Sequence, residues 1–438
     1  MSAAATTERP GGEGFLERRF QLAARGTSAR IEALGGVATF LTMSYILFVN
    51  PAILAAAGMP FAAVAVATAL AAAITTAAMG LFTNLPFALA PGLGINAIVA
   101  FDIVLGRRLP WEVGMSVVVL EGVLALILVI VGLREAGIVI NDPATGIGLG
   151  DLTHGPALIA LGGIAVAAVL ATLNVRGSVI LGVFAATALG LIFGVLEAPD
   201  GIVDMPGSGD FSTIGDALAP DNLGDALQVA LIPVIFALFM TDFFDTIGSA
   251  VAVGRSAGLV DEHGHLPNTQ QLLLVDSGAA ALGGAMGCSS VTTYVESGAG
   301  VAEGARTGLA SLVTAGLFAL AIFFVPVIAL VGQAVPITED VMGSPAITPA
   351  LVMVGYLMIR IVGDIDWSRP EDALPAFLVI AGIPMTFSIA AGIGLGVLGY
   401  VLVMLARGRR GQIHPLMWVI AVLFVCFFAA DWLEANVF

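Results

Sequence analysis

Apolar stretches of roughly 20 residues recur along the whole chain, each close to the length a bilayer core demands of a helix. They fall at 33–57, 61–83, 111–133, 158–173, 179–196, 226–253, 271–286, 309–331, 347–361 and 415–430, and in the first of them Asn50-Pro51 predicts a local break that frees backbone groups. Strict alternation of apolar and polar positions, the mark of an outer-membrane barrel, is missing. The pattern predicts an all-α polytopic membrane protein. One apolar run, 374–406, would be about 50 Å long as a single helix, so it is either one long broken element or two crossings, and the pattern does not choose. Two hydrophobic segments are interrupted. Ala90-Pro91-Gly92-Leu93-Gly94-Ile95-Asn96-Ala97 puts a proline and two glycines at membrane depth, and Cys288 to Gly300 is a β-branched, hydroxyl-rich run ending in Glu296. Neither makes a good lipid-facing helix.

Composition agrees with this picture. Of the 438 residues 58% are hydrophobic and 11% charged, against about 25% charged in soluble proteins. All 16 basic residues are arginine, and the net charge is -16. An acidic, lysine-free, alanine-rich chain suggests a salt-adapted source and argues against nucleic acid as a partner. The first 30 residues are polar, carry Arg9, Arg18, Arg19, Arg25 and Arg30, and have no apolar core, so no cleavable signal is expected. These arginines predict a cytoplasmic N-terminus in a plasma-membrane protein. The acidic stretch 197–225 is expected outside the cell, as plain solvated surface. Two cysteines and four histidines, the latter at or beyond span ends, give no disulfide framework and no buried metal or histidine-based catalytic centre. No metal and no organic cofactor is expected.

The interrupted segments occupy corresponding places, each the third hydrophobic segment of its half. Paired discontinuous segments in two halves point to a transporter's binding site, where inverted repeats meet. Asn96 from one and Glu296 from the other are therefore candidate ligands, with the positive ends of half-helices turned toward the substrate. In Asp242-Phe243-Phe244-Asp245-Thr246 two carboxylates three residues apart share a helix face. Two like charges there do not both stay ionised in a low dielectric, which is how a proton could travel with a substrate. Asp242 could equally be a structural partner of backbone N–H groups. Phe243, Phe244 and Tyr294 could stack on a ring, or simply pack.

Phe243-Phe244-Asp245-Thr246-Ile247-Gly248, Ser290-Val291-Thr292-Thr293-Tyr294-Val295-Glu296-Ser297, Arg306-Thr307-Gly308-Leu309, Thr39-Phe40-Leu41-Thr42-Met43-Ser44-Tyr45 and Asn50-Pro51 together resemble the AzgA-like purine permeases of the nucleobase:cation symporter-2 superfamily. The resemblance runs from about Phe15 to Ala430. It implies two inverted seven-segment repeats forming a core (segments one to four and eight to eleven) and a gate, with segments 3 and 10 discontinuous. It implies uptake of hypoxanthine, guanine or adenine with protons, or with sodium in a salt-adapted source, and a homodimer formed through the gate. Carried over by motif, Gly94, Asn96, Asp242, Asp245 and Glu296 are the substrate and coupling positions, Asp245 being favoured of the two aspartates for substrate and Asp242, Asp245 and Glu296 for coupling; Phe243 and Tyr294, as candidate stacking partners, and Thr292 join the expected substrate positions. The corresponding division is a tail at 1–30, core at 31–134, a shortened gate with the acidic loop at 135–225, core at 226–331 and gate at 332–438.

One departure stands out. Arg134-Glu135-Ala136 runs straight into Gly137-Ile138-Val139-Ile140, where the family has a fifth segment. Arg134 and Arg176 both favour the cytoplasmic side, which needs an even number of crossings between them, yet only 158–173 can cross. The fifth segment is expected to be missing, or replaced by a partial path through Gly137 to Gly150. Two other functions compete. An anion carrier or channel of the same architecture would not place Asp245 and Glu296 at its site, and an intramembrane enzyme would need a nucleophile pair, metal cluster or phosphate loop that this sequence lacks.

Overall fold

The computed structural model describes residues 14–92, 133, 135–140, 148–175, 177–199, 201–227, 232–261, 266–338, 341–359, 367–386, 389–413 and 415–436. A short helix α1 (Phe15–Phe20) precedes α2 (Ala29–Met43), α3 (Ile46–Ala56) and α4 (Phe61–Thr83), after which the chain becomes extended as β1 (Leu89–Pro91). A two-residue pair, β2 (Val139–Ile140) and β3 (Gly148–Leu149), leads to α5 (Gly155–Thr172) and α6 (Ser178–Ile192). Then come α7 (Pro220–Ala226), α8 (Ile232–Ser256) and α9 (Thr269–Met286), the extended β4 (Val291–Thr293), and α10 (Ser297–Ala302), α11 (Gly308–Ala321) and α12 (Val325–Val331). A small hairpin, β5 (Val335–Thr338) and β6 (Val341–Gly343), precedes α13 (Thr348–Ile359), α14 (Pro370–Thr386), α15 (Ile389–Ala406) and α16 (Pro415–Asn436). Ala29–Ala56, Phe61–Thr83, Gly155–Thr172 and Gly308–Val331 are each long and apolar enough to cross a membrane.

The largest packing unit is built from α2, α3, α4, α9, α10 and α11 around β1 and β4. Close approach of backbones holds it. A Cβ on Gly308 would lie 2.0 Å from the Gly80 carbonyl oxygen, and one on Gly300 would lie 2.5 Å from that of Gly35. In lipid, where burial of apolar surface gives helices no reason to associate, such contacts and hydrogen bonds do the joining. Separately, α5 and α6 pack on each other and on α13, while α14, α15 and α16 pack in sequence.

Several boundaries differ from the sequence pattern. The break in the first span falls at Ser44–Tyr45, where the Ser44 hydroxyl donates to the Leu41 carbonyl at 3.3 Å, and α3 runs on through Pro51. Side-chain competition for the backbone ends the helix there. The run 374–406 is two helices, α14 and α15, packed against each other. The acidic stretch is more than solvated surface. Thr213 is fully buried, donates to the Met286 carbonyl at 2.9 Å, and the Gly215 amide donates to Ala285 at 2.8 Å, so the loop caps the end of α9. From Gly137 to His154 the described residues form β2, β3 and bends, with no helix among them.

Candidate functional site

Leu89, Ala90 and Pro91 pair antiparallel with Thr293, Thr292 and Val291. Backbone groups freed by two broken helices thus satisfy each other at a depth where water does not reach them. The Gly92 amide extends the ladder to the Ser290 carbonyl at 2.7 Å, and the Tyr294 amide reaches Ala88 at 3.0 Å. Each strand is also tied to the helix before it. Thr76 of α4 donates to the Leu89 carbonyl at 2.9 Å and accepts from its amide at 2.8 Å. On the other side Asp276 of α9 accepts from the Thr293 hydroxyl at 2.8 Å. Since Leu89 and Thr293 are partners in register, the two anchors flank one rung of the crossing.

Around this rung the structure gathers acidic and hydroxyl groups. Thr246 of α8 donates to Asp276 at 2.5 Å and lies 2.9 Å from the Thr292 hydroxyl. Asp242, one helical turn from Thr246, is buried and faces Thr292, Asp276 and Asp245, with its Oδ1 unpartnered among the described residues. Asp245, half-buried, faces Asp276 and Glu296. Glu296 accepts from the Tyr45 hydroxyl at 2.5 Å, and its carbonyl takes a 3.4 Å bond from Thr42. Tyr294 is buried and donates to the Pro91 carbonyl at 2.5 Å, so its hydroxyl ties the two strands together. Glu371 and Asp372 form ion pairs with arginines, away from these carboxylates. Hydroxyl groups rather than cations hold the acids.

Asp242, Asp245, Thr292, Tyr294 and Glu296 are therefore assembled at one crossing. The Phe243 ring lies 6.4 Å from that of Phe239, along the stripe of α8 beside the one that carries Asp242 and Thr246. Gly94 and Asn96 lie outside the described residues, and so does the side chain of Phe244. The half-helix after Glu296, α10, has only six residues, too short for a substantial macrodipole.

Three groups escaped the sequence reading as site residues. Asp276 had a signal, a lone acid in the apolar segment 271–286. Tyr45 stood in a motif without an assigned partner. Glu32 is fully buried and accepts from the backbone amides of Arg306 at 2.8 Å, Thr307 at 3.2 Å and Ala310 at 3.3 Å. These are orphan donors at the start of α11, so Glu32 of α2 fixes that helix from outside. Asn84 helps by accepting from the Gly308 amide at 3.0 Å.

The acids and hydroxyls can accept from and donate to a small polar ring without help from a metal, and no cluster of metal-ligating residues occurs among the described residues. The model of the permease family matches residues 122–395. Over 96% of its length the chain is 36% identical to the adenine permease AdeP of Escherichia coli strain K12, of which it covers 97%. It is likewise 36% identical to the guanine/hypoxanthine permease PbuO of Bacillus subtilis strain 168, over 92% of this chain and 98% of that protein. The nucleobase transporter PlAzg2 of Paenibacillus larvae is 30% identical over 85% of this chain and 77% of its own. Among solved structures, the transmembrane domain of the cyanobacterial bicarbonate transporter BicA superposes with a TM-score of 0.55 at 14% identity, over 86% of this chain and 96% of that one. SLC26A9 superposes with a TM-score of 0.56 at 13% identity, over 86% and 65%. These two likenesses establish the fold alone: a helical membrane-protein architecture.

Proposed function

We propose that this chain, which belongs to the permease family within the nucleobase:cation symporter-2 superfamily and is a transporter rather than an enzyme, imports purine nucleobases by cation symport. The observation that carries this reading is the crossing of β1 and β4, where Asp242, Asp245, Glu296 and Thr292 meet without a cationic partner among the described residues. A purine edge offers ring N–H donors beside carbonyl or ring-nitrogen acceptors. Carboxylates accept from the N–H groups, and hydroxyls or the Asn96 amide donate to oxygen or nitrogen. Analogues that leave one buried group unpaired lose about 1–3 kcal/mol each, which gives selectivity. The names of AdeP and PbuO favour adenine, guanine and hypoxanthine as the substrate class.

In this reading the carboxylates also carry the coupling proton, with sodium as the alternative ion. The unit built on α2, α3, α4 and α8 to α12 is the core, formed from two inverted repeats, and it moves against a gate of α5, α6 and α13 to α16 to open the site to each side in turn. The gate is short by its fifth segment. Alignment with AdeP spans 448 positions while drawing on 96% of this 438-residue chain, which fits relatives carrying residues that this chain lacks. The protein sits in the plasma membrane with its N-terminus in the cytoplasm and pairs with a second copy through the gate.

The fold of BicA and SLC26A9 motivates the competing anion-carrier reading, and the carboxylates at the crossing oppose it. Uptake of labelled hypoxanthine by a carrier-deficient cell expressing this chain, with and without a protonophore, separates the possibilities. Accumulation abolished by the protonophore supports purine–proton symport, unchanged accumulation removes the proton, and no uptake removes the purine.

A further inference from the structure

A groove of about 410 Å³ runs between α4 and α9. Ile74, Ala78 and Phe82 line it from α4 at every fourth position, so they form one stripe of that helix. Gln271, Leu274, Gly278 and Leu282 line it from α9 at spacings of three and four. Its walls are exposed although they are apolar, Ile74 by 50%, Leu274 by 67% and Phe82 by 72%. Small residues make the floor. A Cβ on Gly278 would meet nothing within 4 Å, and the Thr75 hydroxyl already donates to the Ala71 carbonyl at 2.7 Å, so the floor asks for no polar partner.

The two helices are held in register at one end. Asn268, which precedes α9, donates through Nδ2 to the carbonyl of Thr83, the last residue of α4, at 3.0 Å. Phe82 and Gln271 therefore mark the mouth of the groove, and Ile74 and Leu282 its inner end. Between them the helices rise about 12–16 Å, the depth of one leaflet of a bilayer core, about 15 Å. Since α4 is long and apolar enough to cross a membrane, the groove starts at the membrane surface and reaches toward the midplane. Spread over that depth, its volume gives a section of about 25–35 Å², well under the roughly 80 Å² of a helix about 10 Å across. A cation stands at the surface end, two residues beyond Phe82: Arg25 donates through Nη1 to the carbonyls of Asn84 at 3.1 Å and Arg306 at 3.0 Å, and neither bond uses the rest of its fork.

We propose that this groove holds one acyl chain of a phospholipid, with the phosphate turned toward Arg25. Depth, width and apolar walls suit a single extended hydrocarbon chain, and a helix of a partner protein or of a second copy is too wide to seat in it. The arginine fork suits a phosphate at the level where a headgroup lies. The lining residues Thr75 and Val275 are the sequence neighbours of Thr76 and Asp276, which anchor β1 and β4. Each helix thus carries the groove on the face adjoining its anchor, and a chain lodged there braces both helices behind the crossing. The proposal needs only the membrane setting and holds whatever the substrate is.

The test is photolabelling of purified full-length protein by a phosphatidylglycerol that carries a diazirine in one acyl chain, with the labelled peptides mapped by mass spectrometry. Gly278→Leu fills the groove from α9 and Ala78→Phe fills it from α4. Gly316→Leu, where a Cβ also meets nothing within 4 Å, adds bulk to α11 instead. Size-exclusion chromatography shows which variants are folded, and either groove variant suffices. The expected result is labelling of α4 and α9 that excess unlabelled phosphatidylglycerol competes away, that diacylglycerol competes poorly, and that is lost in the groove variants but kept in Gly316→Leu. Labelling spread without competition over every apolar helix is the ordinary lipid annulus and overturns the proposal. Labelling of α4 and α9 that persists in a folded groove variant overturns it too, and equal competition by diacylglycerol overturns the place given to the phosphate.

Discussion

The hydroxyl of Tyr45 donates to the carboxylate of Glu296 at 2.5 Å, joining the break between α2 and α3 to the end of the second extended segment. Tyr45→Phe removes this donor and keeps the ring. Hydrogen bonds to charged groups contribute about 1.5–3 kcal/mol, so the apparent KM for hypoxanthine uptake rises at least about tenfold. Surface expression stays near that of the wild type, as measured by blotting of isolated membranes. An unchanged KM would separate Tyr45 from the site.

Asp276 carries two threonine hydroxyls, from Thr246 and Thr293. Asp276→Ala removes the acceptor of both buried hydroxyls, leaving Thr293 unpaired and Thr246 with only the Thr292 hydroxyl 2.9 Å away, at about 1–3 kcal/mol for an unpaired group, whereas Asp276→Asn retains an acceptor. The alanine variant therefore melts at a lower temperature than the asparagine variant, and both melt below the wild type. Equal melting temperatures would mean that the clamp adds nothing.

Gly308 and Gly80 touch through their backbones. Gly308→Ala forces α4 and α11 apart, and overpacking of this kind costs about 1–3 kcal/mol. Its effect is a loss of folded, detergent-stable protein on size-exclusion chromatography. Gly316→Ala on the same helix, where a Cβ meets nothing within 4 Å, leaves the yield unchanged.

Glu371, at the start of α14, pairs with Arg407 and Arg409 of the α15–α16 turn and with Arg369. A backbone hydrogen bond first, and then these arginines, hold its carboxyl below the usual range. A depressed carboxylate contributes stability that is present above its unfolded value, about 4.3, and lost as pH falls through the folded one. The melting-temperature gap between wild type and Glu371→Gln is accordingly full above about pH 5 and closes in more acidic buffer. A gap that widens with acidification would contradict this pairing.

How much was legible beforehand depended on whether a residue's partner was near in sequence or recognisable by type. The irregular run through Val291, Thr292 and Thr293 announced itself by β-branching and hydroxyls in an apolar setting, and the spacing of Asp242 and Asp245 placed them on one helix face. That Leu89 pairs with Thr293 is a register, set by tertiary packing. Glu32 was illegible for a different reason: its partners are backbone amides some 270 residues away, which carry no side-chain signature. Ser44 outcompeted Asn50-Pro51 as the place where the first span breaks, because a local hydroxyl-to-carbonyl bond outweighed the proline. The paired helices of 374–406 were hidden because glycines inside a long apolar run mark close packing and turns alike.

The central claim is that a purine base binds at the crossing of β1 and β4 through Glu296 and its neighbours. Equilibrium binding of labelled hypoxanthine to the purified wild type and to Glu296→Gln, with melting temperatures recorded on the same samples, tests it most directly. The account predicts saturable binding by the wild type and binding weakened at least a hundredfold in the variant at a nearly unchanged melting temperature. Equal affinities in the two proteins would contradict it.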